Sequence, residues 1–231
     1  MARIERDIIN ALKFYQALGF ERLPLRLKTG SRRPVSVNKE TAMKHLREEI
    51  GDCKRCKLEK KRTHIVFGEG NPDARLMFIG EAPGREEDIQ ARPFVGEAGM
   101  LLTRLIEKMG LKREEVYIAN IVKCRPPMNR DPEKDEMEQC TGFLERQIDI
   151  IRPDIIMTLG RIAVSTLTGN EKLKITMIRG KVFDYRGIPL VPTFHPAYLM
   201  RNPKDKWLTW NDAQKVLEIL ECGHTIPEED V

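Results

Sequence analysis

Four cysteines are the residues of this sequence best suited to hold a metal. Cys53 and Cys56 form a C-x2-C pair, Cys124 lies far downstream, and Cys140 follows after fifteen intervening residues. Those fifteen residues contain three prolines and the start of a predicted helix, so the segment can loop out and turn both sulfurs toward one point. Zinc and iron–sulfur clusters both accept four thiolates. A second C-x2-C pair, usual in a zinc ribbon, is absent, but the spacing alone leaves both metals open.

The chain has five cysteines in total, and an odd number argues against a disulfide framework. Cys222, the fifth, is compatible with an ordinary free cysteine. Charged residues interrupt any signal-peptide core at the N-terminus, and the apolar runs have the length of strands rather than of membrane-spanning helices. We therefore expect a cytoplasmic protein that makes no use of a membrane.

The elements that must position these residues alternate between strands and helices. Apolar runs predict strands over 75–79, 116–122 and 154–159, and a hairpin of 176–185 with 188–194. Periodicity and capping residues predict helices over 39–50, 96–109, 132–151, 161–167 and 206–220. This alternation predicts the α/β class: a three-layer α/β/α fold with a mostly parallel central sheet of about four strands.

Three unusual segments follow predicted strands, where ligands of open α/β sheets bind. They are GEAPGREED (80–88), Asn120 within VYIANIV, and FHPAYL (194–199), and we expect them to converge on one cleft. Asparagine is a poor strand former, so Asn120 indicates a functional demand at its position. The ordinary alternative is an asparagine that bonds the local backbone.

Basic side chains gather beside these motifs although the net charge is only +5. One group surrounds Cys53 and Cys56, a second follows Asn120, and a third follows FHPAYL. Their members are Lys54, Arg55, Lys57, Lys60, Lys61 and Arg62; Lys123, Arg125 and Arg130; and Arg201, Lys204 and Lys206. Each group could be a solvated face, but their positions favour a phosphate backbone as the partner.

From about Cys53 to the last helix, the chain resembles the family 4 (thermostable-type, iron–sulfur) uracil-DNA glycosylases of the uracil-DNA glycosylase superfamily. The matching segments are GEAPGREED, RPFVGEAG, NIVKCRPPMNR, the spaced Cys140, and FHPAYLMRNP, whose order and joint occurrence are specific. The resemblance implies an enzyme that flips uracil out of DNA and hydrolyses its N-glycosidic bond, which leaves an abasic site. It also implies a [4Fe–4S] cluster on Cys53, Cys56, Cys124 and Cys140.

The resemblance further implies roles for three residues of the expected cleft. Phe94 would stack on the flipped base, and the Asn120 carboxamide would read uracil O4 and N3–H. His195 would donate a hydrogen bond to uracil O2 and stabilise the departing anion. The ordinary alternatives are a core phenylalanine for Phe94 and a capping or core histidine for His195.

The loop after the first predicted strand would line the base through Glu81, Ala82 and Pro83. Ala82 stands where the best-known superfamily members have an aspartate, so the general base is open and Glu81, the nearest carboxylate, is a candidate catalytic residue. Glu87 would shield uracil C5 and exclude the methyl group of thymine. An acidic, solvated loop is the alternative interpretation for these carboxylates.

DNA contacts are expected on both sides of the cleft. Leu199 is the candidate wedge into the duplex, with a core residue as the alternative, and Arg201 would contact phosphate or the minor groove. Arg55 and Lys57 would contact the DNA backbone from the cysteine loop, which a structural cluster would hold in place. The expected partner is uracil-containing DNA, single- or double-stranded.

The sequence divides into three parts: a helical extension with a linker over 1–40, the glycosylase domain over 41–222, and a tail over 223–231. We expect a monomer whose extension serves as a cap or as a site for a protein partner. Three alternatives stay open: the same fold acting on another deaminated base such as hypoxanthine, a non-catalytic nucleic-acid-binding or electron-transfer protein with a four-cysteine metal site, and zinc in place of iron.

Overall fold

The computed structural model describes residues 38–222, with side chains up to residue 221. The predicted extension before residue 38 and the tail over 223–231 lie outside the described residues. The first helix, α1, covers Lys39–Ile50 as predicted, and Asn38 caps it by accepting hydrogen bonds from the backbone of Glu40 and Thr41. The predicted boundary after residue 40 therefore falls inside the first turn of α1.

Six strands form one mixed sheet in the order β1-β3-β2-β4-β6-β5. The strands are β1 Glu69–Gly70, β2 Leu76–Gly80, β3 Tyr117–Asn120, β4 Ile155–Leu159, β5 Phe183–Tyr185 and β6 Ile188–Thr193. The four central strands are parallel, whereas β1 and β5 pair antiparallel at the two edges. The predicted α/β fold with a mostly parallel sheet is confirmed. The strands β5 and β6 pair as the predicted hairpin, although β5 is shorter than expected. The count of about four strands was low, and the two-residue strand β1 is too short to give an alternating pattern.

Eight helices surround the sheet among the described residues. After α1 come α2 Arg85–Gln90, α3 Glu97–Lys108, α4 Lys134–Ile151, α5 Arg161–Thr168, α6 Ile175–Ile178, α7 Pro196–Arg201 and α8 Lys206–Cys222. The sequence did not predict the short helices α2, α6 and α7, and α6 occupies the start of the segment that was expected to be a hairpin strand. No helix in the range 38–222 has the length and apolarity needed to cross a membrane.

The core has two apolar clusters, one on each face of the sheet. Met77 and Ile79 of β2 face α1, α4 and α5, whereas Leu76 and Phe78 face α3 and α8. The central strands are buried on both faces, as parallel strands covered by helices require. The three-layer arrangement therefore follows from continuous apolar strands flanked by amphipathic helices.

Helix α3 packs closely against the segment that carries Phe94 because Gly99 has no side chain. A Cβ added to Gly99 would overlap the carbonyl carbon and oxygen of Phe94. Gly142 on α4 is different, since nothing lies within 4 Å of the equivalent position.

Replacing Gly99 with alanine is expected to lower the free energy of unfolding by about 1–3 kcal/mol, because the added methyl group overpacks the contact with Phe94. Gly142→Ala is the matched control and should raise it by about 0.5–1 kcal/mol through helix propensity alone. Urea unfolding curves of the two variants measure the difference. Equal gains in stability for both variants would contradict the close packing at Gly99.

Candidate active site

The carboxyl ends of β2, β3 and β6 open into one cleft of about 590 Å³. Asn120, Phe94 and His195 all line it, so the structure brings together the three residues that the sequence placed at strand ends. Its remaining walls come from the loop after β2, the start of α2, the start of α3, the loop before α4, and α7. These segments supply Glu81, Ala82, Pro83, Gly84, Arg85, Glu86, Glu87, Gly96, Glu97, Ala98, Pro126, Asn129, Arg130, Asp131, Ala197, Tyr198 and Arg201.

Gly80 is the point where the Phe94 ring and the Asn120 carboxamide meet. Gly80 pairs with Asn120 in the parallel register of β2 and β3. A Cβ on Gly80 would overlap the end of the Phe94 ring and lie 2.5 Å from Asn120 Oδ1. The ring and the amide therefore share a space that exists because residue 80 has no side chain.

Asn120 presents a buried acceptor that has no partner. Its side-chain oxygen is enclosed, and no hydrogen-bond donor reaches it among the described residues. An unsatisfied buried acceptor costs about 1–3 kcal/mol, so such an atom is uncommon unless a ligand supplies the donor. Asn120 Oδ1 is thus suited to accept a hydrogen bond from a molecule bound in the cleft.

Lys123 donates a hydrogen bond to the backbone of Asn120, a contact that the sequence did not predict. The expectation that Lys123 belongs to a basic surface group was wrong, because its side chain is fully buried. Its ammonium donates to the Asn120 backbone carbonyl (2.9 Å) and to Gln147 Oε1 (2.6 Å). Burial lowers the pKa of Lys123 to about 8. At this position, no sequence pattern distinguishes a buried lysine from one that is exposed to solvent.

His195 is held as a neutral hydrogen-bond donor. It precedes α7, and its Nδ1 accepts the backbone N–H of Ala197 (3.2 Å). That bond leaves the proton on Nε2. Burial lowers the pKa of His195 to about 4, and the charge of Arg201 acts in the same direction. Gly160, in the left-handed region at φ +94°, leaves room for the imidazole, since a Cβ there would lie 3.1 Å from His195 Cβ.

Glu81 is a carboxyl group whose ionisation falls near neutral pH. Burial, together with the nearby carboxylate of Asp131, raises the pKa of Glu81 to about 7, while Arg161 opposes the rise. Glu81, Ala82 and Pro83 line the cleft as predicted. Perturbed carboxyl groups in clefts are typical of acid–base sites.

Glu87 binds backbone N–H groups of two segments that line the cleft. Its carboxylate accepts hydrogen bonds from the N–H groups of Gly84 (3.1 Å), Val95 (2.9 Å) and Gly96 (2.9 Å). These bonds tie the loop after β2 to the segment of Phe94, whose backbone is left-handed at φ +51°. Glu87 lines the cleft, but its oxygens are engaged, so it shapes the loop rather than presenting a free carboxylate to a ligand.

The apolar tip of α7 differs from the expectation. Leu199 is only 3% exposed and packs in the interior, so it cannot act as a wedge in this arrangement. The neighbouring Met200 is 38% exposed, and Arg201 is exposed and lines the cleft. The helical turn explains the burial of Leu199, because residues 199 and 200 point to different faces of α7 and the pattern HPAYLM does not show which of them is buried.

The basic group around the cysteines is partly neutralised. Lys57 makes ion pairs with Glu133 and Asp135, and the guanidinium of Arg55 lies 4.5 Å from the centre of the Phe143 ring. Both side chains are nevertheless exposed. Arg62 is bound to the carbonyl of Cys53 and to Asp52. This surface is less basic than the sequence suggested.

The four cysteines adjoin one apolar cluster. Cys124 and Cys140 are buried in it, and Cys53 and Cys56 are half-buried against it. Arg62 Nη1 donates to Cys124 Sγ (3.4 Å), and the Lys123 backbone N–H donates to Cys140 Sγ (3.2 Å). Burial raises the pKa of the thiols of Cys56, Cys124 and Cys140. Among the described residues, no three His, Cys, Asp or Glu side chains form a group that could hold a single metal ion.

Comparison with known proteins gives a consistent result. The family model for the uracil DNA glycosylase superfamily matches residues 67–219. A type-4 uracil-DNA glycosylase of Thermotoga maritima is 50% identical over 71% of this chain and 86% of its own length. A type-4 enzyme of Saccharolobus solfataricus is 50% identical over 75% of this chain and 84% of its own length. A third, from Archaeoglobus fulgidus, is 41% identical over 78% and 92%.

Proposed function

We infer the chemistry of the cleft from one premise: the chain belongs to the uracil DNA glycosylase superfamily and, within it, to the type-4 uracil-DNA glycosylases. It is a DNA repair enzyme that excises uracil by hydrolysing the N-glycosidic bond. We propose that the flipped uracil enters the cleft between Phe94, Asn120 and His195. The buried, unpartnered Oδ1 of Asn120 is the observation that carries this assignment.

Asn120 reads the base. Uracil N3–H donates to Asn120 Oδ1, and the amide Nδ2 donates to uracil O4. Cytosine has an acceptor at N3 and an amino group at C4, so it would oppose both groups of the amide. A site built for buried hydrogen bonds rejects such a mismatch strongly because its polar atoms stay unpaired. The hydrogen bond from Lys123 to the Asn120 backbone carbonyl stabilises the position of Asn120.

Phe94 supplies the stacking surface. Its ring approaches the Asn120 amide beside Gly80, which puts stacking and hydrogen bonding next to each other. Stacking of a base on an aromatic side chain contributes about 1–3 kcal/mol, enough to offset part of the cost of unstacking. Glu87 holds the backbone after Phe94 and so fixes the direction of the ring.

His195 and Glu81 have separate roles in cleavage of the N-glycosidic bond. The Nε2–H of neutral His195 donates to uracil O2, where negative charge grows as the bond breaks, a contribution of about 3–4 kcal/mol. Glu81, in its ionised form, orients the attacking water and takes up its proton. The raised pKa of Glu81 supports this role, as does the absence of a carboxylate at position 82.

The four cysteines are a suitable donor set for a [4Fe–4S] cluster. They are all sulfur, they adjoin one core cluster, and N–H groups already donate to two of them. The cluster would supply structural support without taking part in the hydrolysis. Lys123 directly precedes Cys124, and its backbone N–H donates to Cys140 Sγ while its side chain donates to the Asn120 carbonyl. The same residue therefore connects the cysteine region to Asn120.

Around the cleft, Arg201 and the exposed Arg55 and Lys57 are proposed contacts to the DNA backbone. The substrate is uracil-containing DNA in either single- or double-stranded form. We also propose a cytoplasmic location, because cysteines that bind a cluster must stay reduced. A monomer is proposed as the working form.

Asn120→Asp is expected to slow uracil release by about a hundredfold or more, since a carboxylate cannot donate to O4 and repels the departing anion. Affinity for DNA that already contains an abasic site should stay close to that of the wild type. Single-turnover assays on uracil-containing oligonucleotides and titrations with abasic DNA measure the two effects. Asn170→Asp, on a surface loop outside the cleft, is the matched control. Equal losses of cleavage and of binding would count against base reading.

The rate of excision is expected to rise with pH through about 7, because Glu81 must lose its proton to act as a base. His195 should not contribute to this rise of the rate with pH, since its pKa lies near 4. Glu81→Gln should lower the rate by at least about a hundredfold and flatten the profile between pH 6 and pH 8, a range of roughly one unit on each side of this pKa. Single-turnover rates across this range test the assignment. If the rate of the variant still rises with pH over this range, the rise belongs to another titrating group.

Cys140→Ala is expected to remove the brown colour of protein purified without oxygen, to lower the melting temperature, and to weaken DNA binding. Cys222→Ala is the matched control and should keep the colour and the iron content. Visible absorption, iron and sulfide analysis, and DNA titrations measure the outcome. A colourless wild type that contains zinc would exclude the cluster. A cluster-free variant with unchanged fold and DNA affinity would remove its structural role.

A further inference from the structure

Met128 is an apolar side chain held in solvent at the edge of the cleft. It is 92% exposed, more than any other large apolar side chain among the described residues. It lies in the loop before α4, whose residues Pro126, Asn129 and Arg130 line the cleft. The side chain therefore projects from the rim of the proposed uracil site without packing against the protein.

The backbone of Met128 adopts a conformation that disfavours methionine. Its φ of 56° and ψ of 20° are left-handed, and Asn129 follows at φ 54°. Asparagine tolerates this region well, but a bulky residue there is strained. Glycine at position 128 would relieve the strain, so the fold itself does not favour methionine at this position. A strained residue at a functional site is a reason to look for a function.

The loop around Met128 is rigid. Pro126 and Pro127 restrict the backbone on one side. On the other, Arg125 Nε donates to Asn129 Oδ1 (2.7 Å), and both Nη atoms of Arg130 bind the carboxylate of Glu136 (2.9 and 2.7 Å). A side chain on such a loop loses little freedom when it makes a contact.

Exposure alone would not distinguish Met128 from other methionines. Met177 on α6 is also 69% exposed, but no residue of α6 lines the cleft and its helical backbone is ordinary. Among the methionines that the structure describes, only Met128 combines exposure, a left-handed backbone and a place between residues that line the cleft. Extrusion of a base leaves a gap in the stack, and proteins fill or open such gaps with apolar side chains, methionine among them.

We propose that Met128 contacts the bases that flank the flipped uracil and keeps the gap in the duplex open. This inference rests on the proposed function of the cleft. Leu199 is buried and cannot serve this purpose, so the loop of Met128 supplies an apolar contact from a segment other than α7. The polarisable thioether suits a contact with aromatic bases. The partly exposed guanidinium of Arg125, three residues earlier, suits a neighbouring phosphate.

The test uses Met128→Gly, with Met128→Leu as the conservative variant and Met177→Gly as the matched control. The probe is a duplex that carries 2-aminopurine next to a non-cleavable 2′-fluorinated deoxyuridine. Binding of the wild type should raise the 2-aminopurine fluorescence, and Met128→Gly should lose most of that rise. Excision of uracil should fall about tenfold in duplex DNA and much less in single strands, where few bases are stacked. Met128→Leu should restore both signals.

Thermal unfolding separates this effect from misfolding. Met128→Gly should melt at the wild-type temperature or above, because glycine relieves the left-handed backbone. The proposal is overturned if Met128→Gly matches the wild type in fluorescence and in duplex excision, or if Met177→Gly shows the same losses. Failure of the underlying function looks different, since the wild type would then leave uracil in single-stranded DNA as well.

Discussion

The missing side chain at position 80 is the constraint on which the site depends. Any Cβ there would overlap the Phe94 ring and crowd the Asn120 amide, so the stacking and hydrogen bonding that we propose for one base could not occur side by side. The parallel register that pairs Gly80 with Asn120 fixes one partner. Glu87 and Gly99 fix the other, because Glu87 binds the backbone after Phe94 and Gly99 leaves room for the Phe94 backbone itself. The space shared by the ring and the amide thus results from sheet register, one glycine and a bound loop.

Much of this arrangement could be predicted from the sequence because it follows from local patterns. Continuous apolar runs mark parallel strands that are buried on both faces, and the carboxyl ends of such strands must lie on one edge of the sheet. Asn120 inside a strand contradicts propensity, and this departure pointed to the residue that lines the cleft. The edge strand β5 lies within the predicted hairpin, whereas the edge strand β1, with two residues, is too short for any such pattern.

What the sequence could not provide is the direction of individual side chains. Lys123 looked like part of a basic surface, but it is enclosed and bonded to Asn120 and Gln147. Glu87 was expected to shield uracil C5, with an acidic, solvated loop as the alternative, and it accepts hydrogen bonds from three backbone N–H groups. Leu199, expected at the exposed tip of α7, is buried, whereas its neighbour Met200 is exposed. Each of these outcomes depends on packing between segments far apart in the chain, which periodicity within one segment does not encode.

The hydrogen bond from Ala197 to His195 has a consequence for turnover. A second proton on the imidazole would have to sit on Nδ1, facing the N–H of Ala197, so it would break the cap of α7. In the mechanism proposed here, the ring therefore ends each round of cleavage in the state in which it began, and no proton has to return to it before the next lesion. The released uracil anion would take its proton from water or from Glu81. Under this proposal, readiness for another round depends on departure of the products rather than on reprotonation of the histidine.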